Sequence, residues 1–250
     1  MRLLAAVLAV LIAQPAFAQR TPPGAFDYYV FALSVAPGFC DVTGNRIHSN
    51  QCAAPDDEAY RAMPLTIHGL WPNKRNADIR DQPDKCSTER FHLSAGLRQQ
   101  LQIYMPGIAD DLPYHEWEKH GTCTGLSPDA YFRRIIALAK AADATIGTIL
   151  KQQQMLGKTV PVTALVDLVA ARNPQLGAAM QVDCQFTRAA GGKPSRADIT
   201  EIHILLAKDF PPLTVAADWP ARFVPLSSVG WGTNSGCPGG MGYLRGSYAD

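Results

Sequence analysis

The chain has no clear excess of charge of either sign. Its 23 Lys and Arg are met by 22 Asp and Glu. Residues 1–18 contain one base, Arg2, and no acid, so the remainder balances at 22 against 22. Proteins that hold nucleic acid tightly usually carry a basic surplus. The balance speaks against stable DNA binding, but not against an enzyme with a local positive site and fast release. Metal-ligand spacing is missing as well. No C-x-x-C pair occurs, and Cys40, Cys52, Cys86, Cys123, Cys184 and Cys237 are scattered along the chain, which argues against a structural zinc site. There is no internal repeat, low-complexity tract or long flexible linker. Repeat architectures are thereby excluded and a single domain is expected. Beyond the first residues no apolar run is long enough to cross a bilayer, so no membrane partner is expected.

The start of the chain is of a different kind. Arg2 precedes an apolar run from Leu3 to Ala13, and Ala16-Phe17-Ala18 places small residues where a signal peptidase reads. Residues 1–18 are expected to form a removed signal peptide, leaving 19–250 as the mature domain, secreted or periplasmic. An even cysteine count behind such a segment reads as disulfides in an oxidising compartment.

Within the mature chain, the aromatic and β-branched run 27–35 and the short run 65–71 predict strands. Leu93 to Met105 has helical spacing. Ser127-Pro128 has the form of an N-cap followed by proline at the first helical position, opening a helix through Lys140. A further helix is expected from Val162 to Ala171, stopping before Asn173-Pro174. Met180 to Phe186 and Ile199 to Ala207 predict strands flanking a polar loop over 187–198, and the glycine-rich tail from Gly230 reads as mostly loop, pinned by Cys237. Helices and strands do not alternate strictly. The expected class is therefore α+β: one domain, with a central, mostly antiparallel sheet packed with helices and stapled by disulfides.

Two runs carry chemistry: His68-Gly69-Leu70-Trp71-Pro72, and His115-Glu116-Trp117-Glu118-Lys119-His120-Gly121-Thr122-Cys123. With His115 at the origin of a helical wheel, Lys119 falls at roughly 40°, Glu116 at roughly 100° and His120 at roughly 140°. Four titratable side chains thus share one arc, while Trp117, at roughly 200°, is free to anchor the helix in a core. Gly121 suits a left-handed cap, which Cys123 then ties down. The plain reading of one such helix is a solvated face on which Glu116 supports Lys119 and His120. A zinc protease is excluded, because H-E-x-x-H needs histidine at i+4. Here that residue is Lys119, whose charge repels a dication, and the second histidine stands at i+5. No metal or cofactor is expected.

Together the two runs resemble the active-site segments of the ribonuclease T2 family, secreted endoribonucleases of an α+β fold. That family has an H-G-L-W-P run and, some tens of residues later, an H-E-W-x-K-H-G-T-C run; both are present here, in that order. The likeness extends to the strand near Tyr29, the cysteine before the second segment, and the Leu/Ile-rich strand with Glu201. It implies metal-independent cleavage of single-stranded RNA through a 2′,3′-cyclic phosphate, with His120 as base and His68 as acid. The residues alone do not choose between the two histidines. Histidine suits both roles because its ordinary pKa, about 6.5, lets one neutral and one protonated ring coexist. Lys119 supplies fixed positive charge for the phosphorane, His115 holds phosphate, and Glu116 orients His120 or contacts a phosphoryl oxygen. The bell-shaped rate profile expected of such a pair peaks on the acid side of neutrality.

Trp71 has two readings, core filler or a platform on which an RNA base stacks, and the resemblance favours stacking. Strict strand alternation puts His68 and Trp71 on opposite faces, so the chain must bend if both serve one site. Asn73 stands where the family often has a base-contacting polar residue. His48, His92 and His203 read as structural. The resemblance pairs Cys86 with Cys123; Cys184–Cys237 and Cys40–Cys52 then follow by chain order. RNA is the expected substrate partner and a monomer the expected state. The competing readings are a non-catalytic secreted binder of RNA or other polyanions on the same scaffold, and a phosphodiesterase for small nucleotides.

Overall fold

The computed structural model describes residues 21–44, 49–53, 55–188, 194–209, 219 and 222–250. The expected signal peptide and His48 lie outside them. Among the described residues, seven strands form one sheet: β1 (Tyr28–Ser34), β2 (Thr66–Asn73), β3 (Lys158–Pro161), β4 (Met180–Arg188), β5 (Pro194–Ala207), β6 (Asn234–Ser235) and β7 (Met241–Leu244). Their order is β2-β1-β5-β4-β6, with β7 joined to β3 and β5. The long pairings, β1 with β2 and β5, and β4 with β5, are antiparallel. β6 and β7 add short parallel contacts to β4 and β5. The α+β class and the mostly antiparallel sheet are as expected.

Every residue of β1 is buried, because the strand runs through the middle of the sheet with both faces covered; hence its unbroken apolar sequence. One face sends Tyr29, Phe31 and Leu33 into the main core, with Leu70, Ile202, Ile204 and Leu206. Over that core pack α1 (Ala95–Tyr104), α2 (Leu112–Lys119), α3 (Pro128–Ala142) and α4 (Val162–Arg172). The opposite face carries a smaller cluster, Tyr28, Val30, Leu205, Val224 and Leu226, with Trp71 and Trp231 against it. That second, thinly covered face carries the candidate site.

The helices begin where local chemistry dictates. Ser127 accepts from the Ala130 amide, and Pro128 takes the first position of α3, whose length slightly exceeds expectation. One expectation is corrected. The stretch 187–198 is strand at both of its ends, since β4 continues through Arg188 and β5 begins at Pro194; residues 189–193 lie outside the described residues. The polar residues of these ends pair with one another, Arg196 Nε donating to Asp198 at 2.6 Å and Thr187 to the Arg196 carbonyl at 3.1 Å, which removes the cost of burying them. The tail from Gly230 is mostly loop, as expected, with Met241–Leu244 within it forming β7, paired with β3 and β5.

The six cysteines pair as expected: Cys40–Cys52, Cys86–Cys123 and Cys184–Cys237. No described helix is long and apolar enough to cross a membrane.

Candidate active site

The site begins with an irregularity in β2. Ile67 pairs with Leu33 and Gly69 with Ala32, so His68 is the extra residue of a β-bulge. A bulge breaks strict alternation by one residue. It turns His68 out of the core and onto the face of Trp71, and so provides the bend that one shared site requires. The two rings meet edge to face, with centroids 5.1 Å apart. Gly69 is needed beside them: a Cβ there would collide with the Glu116 carboxylate and the Trp71 indole nitrogen.

The second run supplies α2 and its end. Trp117 is 1% exposed and packs edge-on against Tyr131, centroids 5.9 Å apart, while its indole N–H donates to the Glu89 carbonyl at 3.0 Å. This is the core anchor the wheel calls for, worth roughly 3–5 kcal/mol against alanine. The helix does not end in a left-handed glycine. His120 caps it, and Gly121–Cys123 forms a 3-10 turn. Gly121 is required for a different reason: a Cβ would run into the Trp117 ring. Three of the terminal carbonyls, which a helix end tends to leave unpaired, are engaged. His120 N–H bonds the Glu116 carbonyl, Thr122 Oγ1 that of Glu118, and Lys85 N–H that of Lys119, each at 3.0 Å. Cys86 N–H donates to Thr122 Oγ1 at 3.2 Å, and Cys86 is bonded to Cys123. The segment around Lys85 and Cys86 thus clamps the helix end that carries Lys119 and His120.

These elements gather the side chains around Trp71. Its ring lies 5.1 Å from His68, 5.5 Å from His120 and 5.6 Å from His203. Its indole N–H donates to Glu116 Oε2 at 2.8 Å. Glu116 is buried to 1% exposure and its other oxygen lies 3.8 Å from His68 Nε2. The carboxylate therefore faces His68, not His120 as its helical spacing suggests. Burial pushes the Glu116 carboxyl up to about 7, against the opposing influence of His68, Trp71 and Lys119.

The two motif histidines sit in opposite electrostatic settings. Burial disfavours the charged form of His68, but the hydrogen bond and charge of Glu201, joined by Glu116, outweigh it and raise its pKa. Burial and the nearby Lys119, His115 and His68 lower His120 to about 2. His120 Nδ1 is buried without a hydrogen-bond partner among the described residues, leaving Nε2 as the ring nitrogen open to a reactant. His115 is exposed and also lowered, by partial burial and then by Lys119 and His68. Lys119 is half-buried and acts on His68, His115, Glu116 and His120 alike.

Glu201 is absent from the sequence-derived site, and His203 was read as structural. Glu201 takes His68 Nδ1 on one oxygen and His203 Nε2 on the other, the latter at 2.7 Å. Burial would raise its carboxyl, but these two histidines hold it at about 2. A signal was available: Glu201 and His203 are alternate residues of a strand that is otherwise apolar from Glu201 to its end, which places both on one face. His92 is exposed and outside the site. Asn73 donates to the Trp71 carbonyl at 3.1 Å and lines a neighbouring cavity of about 430 Å³ with Tyr28, Arg75, Ile79 and Trp231. Among the described residues no group of three or more His, Cys, Asp or Glu is arranged to hold a metal ion.

The bulged histidine strand, the helix ending in Lys119 and His120, and the disulfide that clamps it define a ribonuclease-like α+β architecture. A profile of the ribonuclease T2 family matches residues 26–213, and the chain belongs to that family. It is 38% identical over 104 residues to a ribonuclease of Aeromonas hydrophila, covering 42% of this chain and 40% of that one. It is 33% identical over 143 residues to ribonuclease I of Escherichia coli, covering 46% and 53%. The chain thus spans about half the length, or less, of these curated relatives. Ribonuclease MC1 from bitter gourd seeds superposes with a TM-score of 0.56 at 21% identity, covering 74% of this chain and 90% of that one. The SF11-RNase of Nicotiana alata superposes at 0.58 with 15% identity, covering 88% and 99%. Both likenesses show the fold.

Proposed function

We propose that the chain is a metal-independent endoribonuclease that cleaves single-stranded RNA through a 2′,3′-cyclic phosphate. The observation that carries this reading is the pairing of a charge-favouring His68 with a charge-disfavouring His120 around one tryptophan, within reach of the Lys119 field. A neutral His120 takes the 2′-OH proton as O2′ attacks phosphorus. A protonated His68 gives its Nε2 proton to the 5′-oxygen as the P–O5′ bond breaks. When the cyclic product is hydrolysed the two roles exchange. Each positioned acid or base contributes on the order of a hundred- to ten-thousand-fold. Lys119 answers the charge that grows on the phosphorane. Glu116, its pKa near neutrality, carries a proton part of the time and in that form donates to a phosphoryl oxygen. His115, whose charged form is disfavoured, holds phosphate as a neutral N–H donor. The proton transfers need no metal, and the Lys119 ammonium opposes a dication.

Trp71 offers an aromatic ring for a base to stack on, and Asn73 lines a cavity of about 430 Å³, large enough for a nucleobase. RNase NT, a structural neighbour at 20% identity with a TM-score of 0.55, covering 80% of this chain and 98% of that one, was solved with 5′-AMP. That precedent supports nucleotide binding by this fold. With residues 1–18 read as a signal peptide, the mature enzyme acts as a monomer, secreted or in the periplasm, where its three disulfides persist.

The test is direct. The mature protein is incubated with a long RNA and a matched DNA, with and without EDTA, and the products are sized. The expected result is fragmentation of RNA alone, undiminished by chelator, with cyclic phosphate ends. Equal DNA cleavage, or activity lost to EDTA and restored by a metal, overturns the reading. RNA retention without cleavage supports the binding-protein alternative instead.

A further inference from the structure

Glu201 and His203 lie on β5, the strand bonded to β1 on one side and β4 on the other. Glu201 stands level with Ser34 of β1 and Asp183 of β4, and His203 level with Ala32 and Gln181. The pair therefore rises from the middle of the sheet, on the most constrained backbone available. Its geometry is serial. His68 Nδ1 meets one oxygen of Glu201, and His203 Nε2 meets the other at 2.7 Å. His203 is in turn wedged between the rings of Trp71 and Trp231, at 5.6 and 6.3 Å. Glu201 and His203 are nearly buried, whereas His68 remains partly exposed. The chain of contacts therefore runs from the closed interior of the sheet to the open ring of His68.

We propose that Glu201 and His203 are positioning residues for His68: Glu201 fixes the ring plane and the Nδ1–H tautomer, and His203 fixes Glu201. The proposal rests on His68 acting in turnover, as argued above. A side chain that must deliver a proton from Nε2 needs its other nitrogen held as a donor, and an oriented carboxylate is the usual means. In the cleavage step the Nε2 proton passes to O5′ and the ring is left neutral, its remaining proton on Nδ1 and still donated to Glu201. Glu201 stays ionised throughout. In the hydrolysis step Nε2 takes the proton back from water. The other titratable groups facing this unit are His115, Glu116 and Lys119 from α2, His120 at its end, and Asp183 from β4. None of these is hydrogen-bonded to His68 Nδ1, so none replaces Glu201.

The experiment compares Glu201→Gln, His203→Leu, their double variant and His68→Ala on a dinucleotide substrate across pH, with far-UV circular dichroism and thermal melts for each. Glu201→Gln is expected to lower kcat about 10- to 100-fold, the range typical when an orienting partner is lost. KM should stay within about two-fold of wild type, since Glu201 touches no substrate. The alkaline limb of the rate profile should move to lower pH and the acid limb stay fixed. His203→Leu should cost less, and the double variant should be no slower than Glu201→Gln, because one acts through the other. If Glu201→Gln does not fold, a nitrogen-15 spectrum of His203→Leu decides: weakened Nδ1–H character on His68 supports the proposal, and an unchanged His68 overturns it. Wild-type kcat and limbs in Glu201→Gln, or effects of the two changes that multiply, also overturn it. Full activity in His68→Ala refutes the two-histidine reading itself. An inactive His68→Ala beside a wild-type Glu201→Gln refutes the positioning role alone.

Discussion

His68 and His120 are the same residue under opposite treatment. His68 stands on a bulged edge strand, with Glu201 bonded to Nδ1 and Glu116 beside Nε2. His120 closes a helix, has no carboxylate among its perturbing neighbours, and shares its surroundings with Lys119 and His115. Both rings are desolvated; what differs is the sign of the charge placed around each. Histidine identity alone does not assign acid and base; under the proposed mechanism it is the neighbours that distinguish the two rings.

The first way to break this comparison is to remove each ring. His68→Ala and His120→Ala should each lower kcat on RNA by about a hundred- to ten-thousand-fold while leaving the thermal melt nearly unchanged. If either keeps near-normal turnover, the pair is not the engine. Next in size is Lys119→Ala, expected to reduce kcat by about 10²–10³ and to raise KM much less, since its charge matters most in the transition state. It should also move the acid limb of the profile upward, because after burial Lys119 is the leading cause that keeps His120 neutral. An unmoved acid limb would separate the catalytic charge from the electrostatic one.

Opening the Cys86–Cys123 bridge acts on the His120 side alone. Its closed stretch of 37 residues implies about 4 kcal/mol in the chain-entropy model. The paired serine variant should melt well below wild type and lose activity through the helix end, with His68 unaffected. The smallest effect belongs to Glu116→Gln. The carboxylate adds to the forces that raise His68, after Glu201, so its removal should shift the alkaline limb to lower pH, by less than Glu201→Gln does, and leave the acid limb in place. A shift of the acid limb would return Glu116 to His120, where its helical spacing puts it.

Much of this is written in the sequence. The strands and long helices follow from apolar runs, an N-cap serine and helix-stopping prolines, and the two motifs name His68, Glu116, Lys119 and His120 outright. The parts that were missed have physical causes. Alternation separates His68 from Trp71 and so calls for a bend, but its place, a bulge that shifts the register by one residue at His68, is not written in the alternation. The partner of His68 Nδ1 lies 133 residues away, beyond any local motif. Glu116 satisfies the helical wheel equally well whether it turns to His120 or to Trp71, and only the approach of β2, permitted by Gly69, settles which. The ends of the run 187–198 read as loop because their polar residues, which suggest exposure, satisfy one another instead, within β5 and between β4 and β5.

The most direct measurement is a titration of the histidine ring nitrogens in the free mature protein, by two-dimensional proton–nitrogen-15 correlation from pH 4 to 9. Raised by Glu201 and Glu116, His68 should hold both ring protons past the ordinary value of about 6.5. His120, lowered by burial and Lys119, should remain neutral at the acid end. The reverse order, or two rings titrating together near the ordinary value, would contradict the assignment of acid and base.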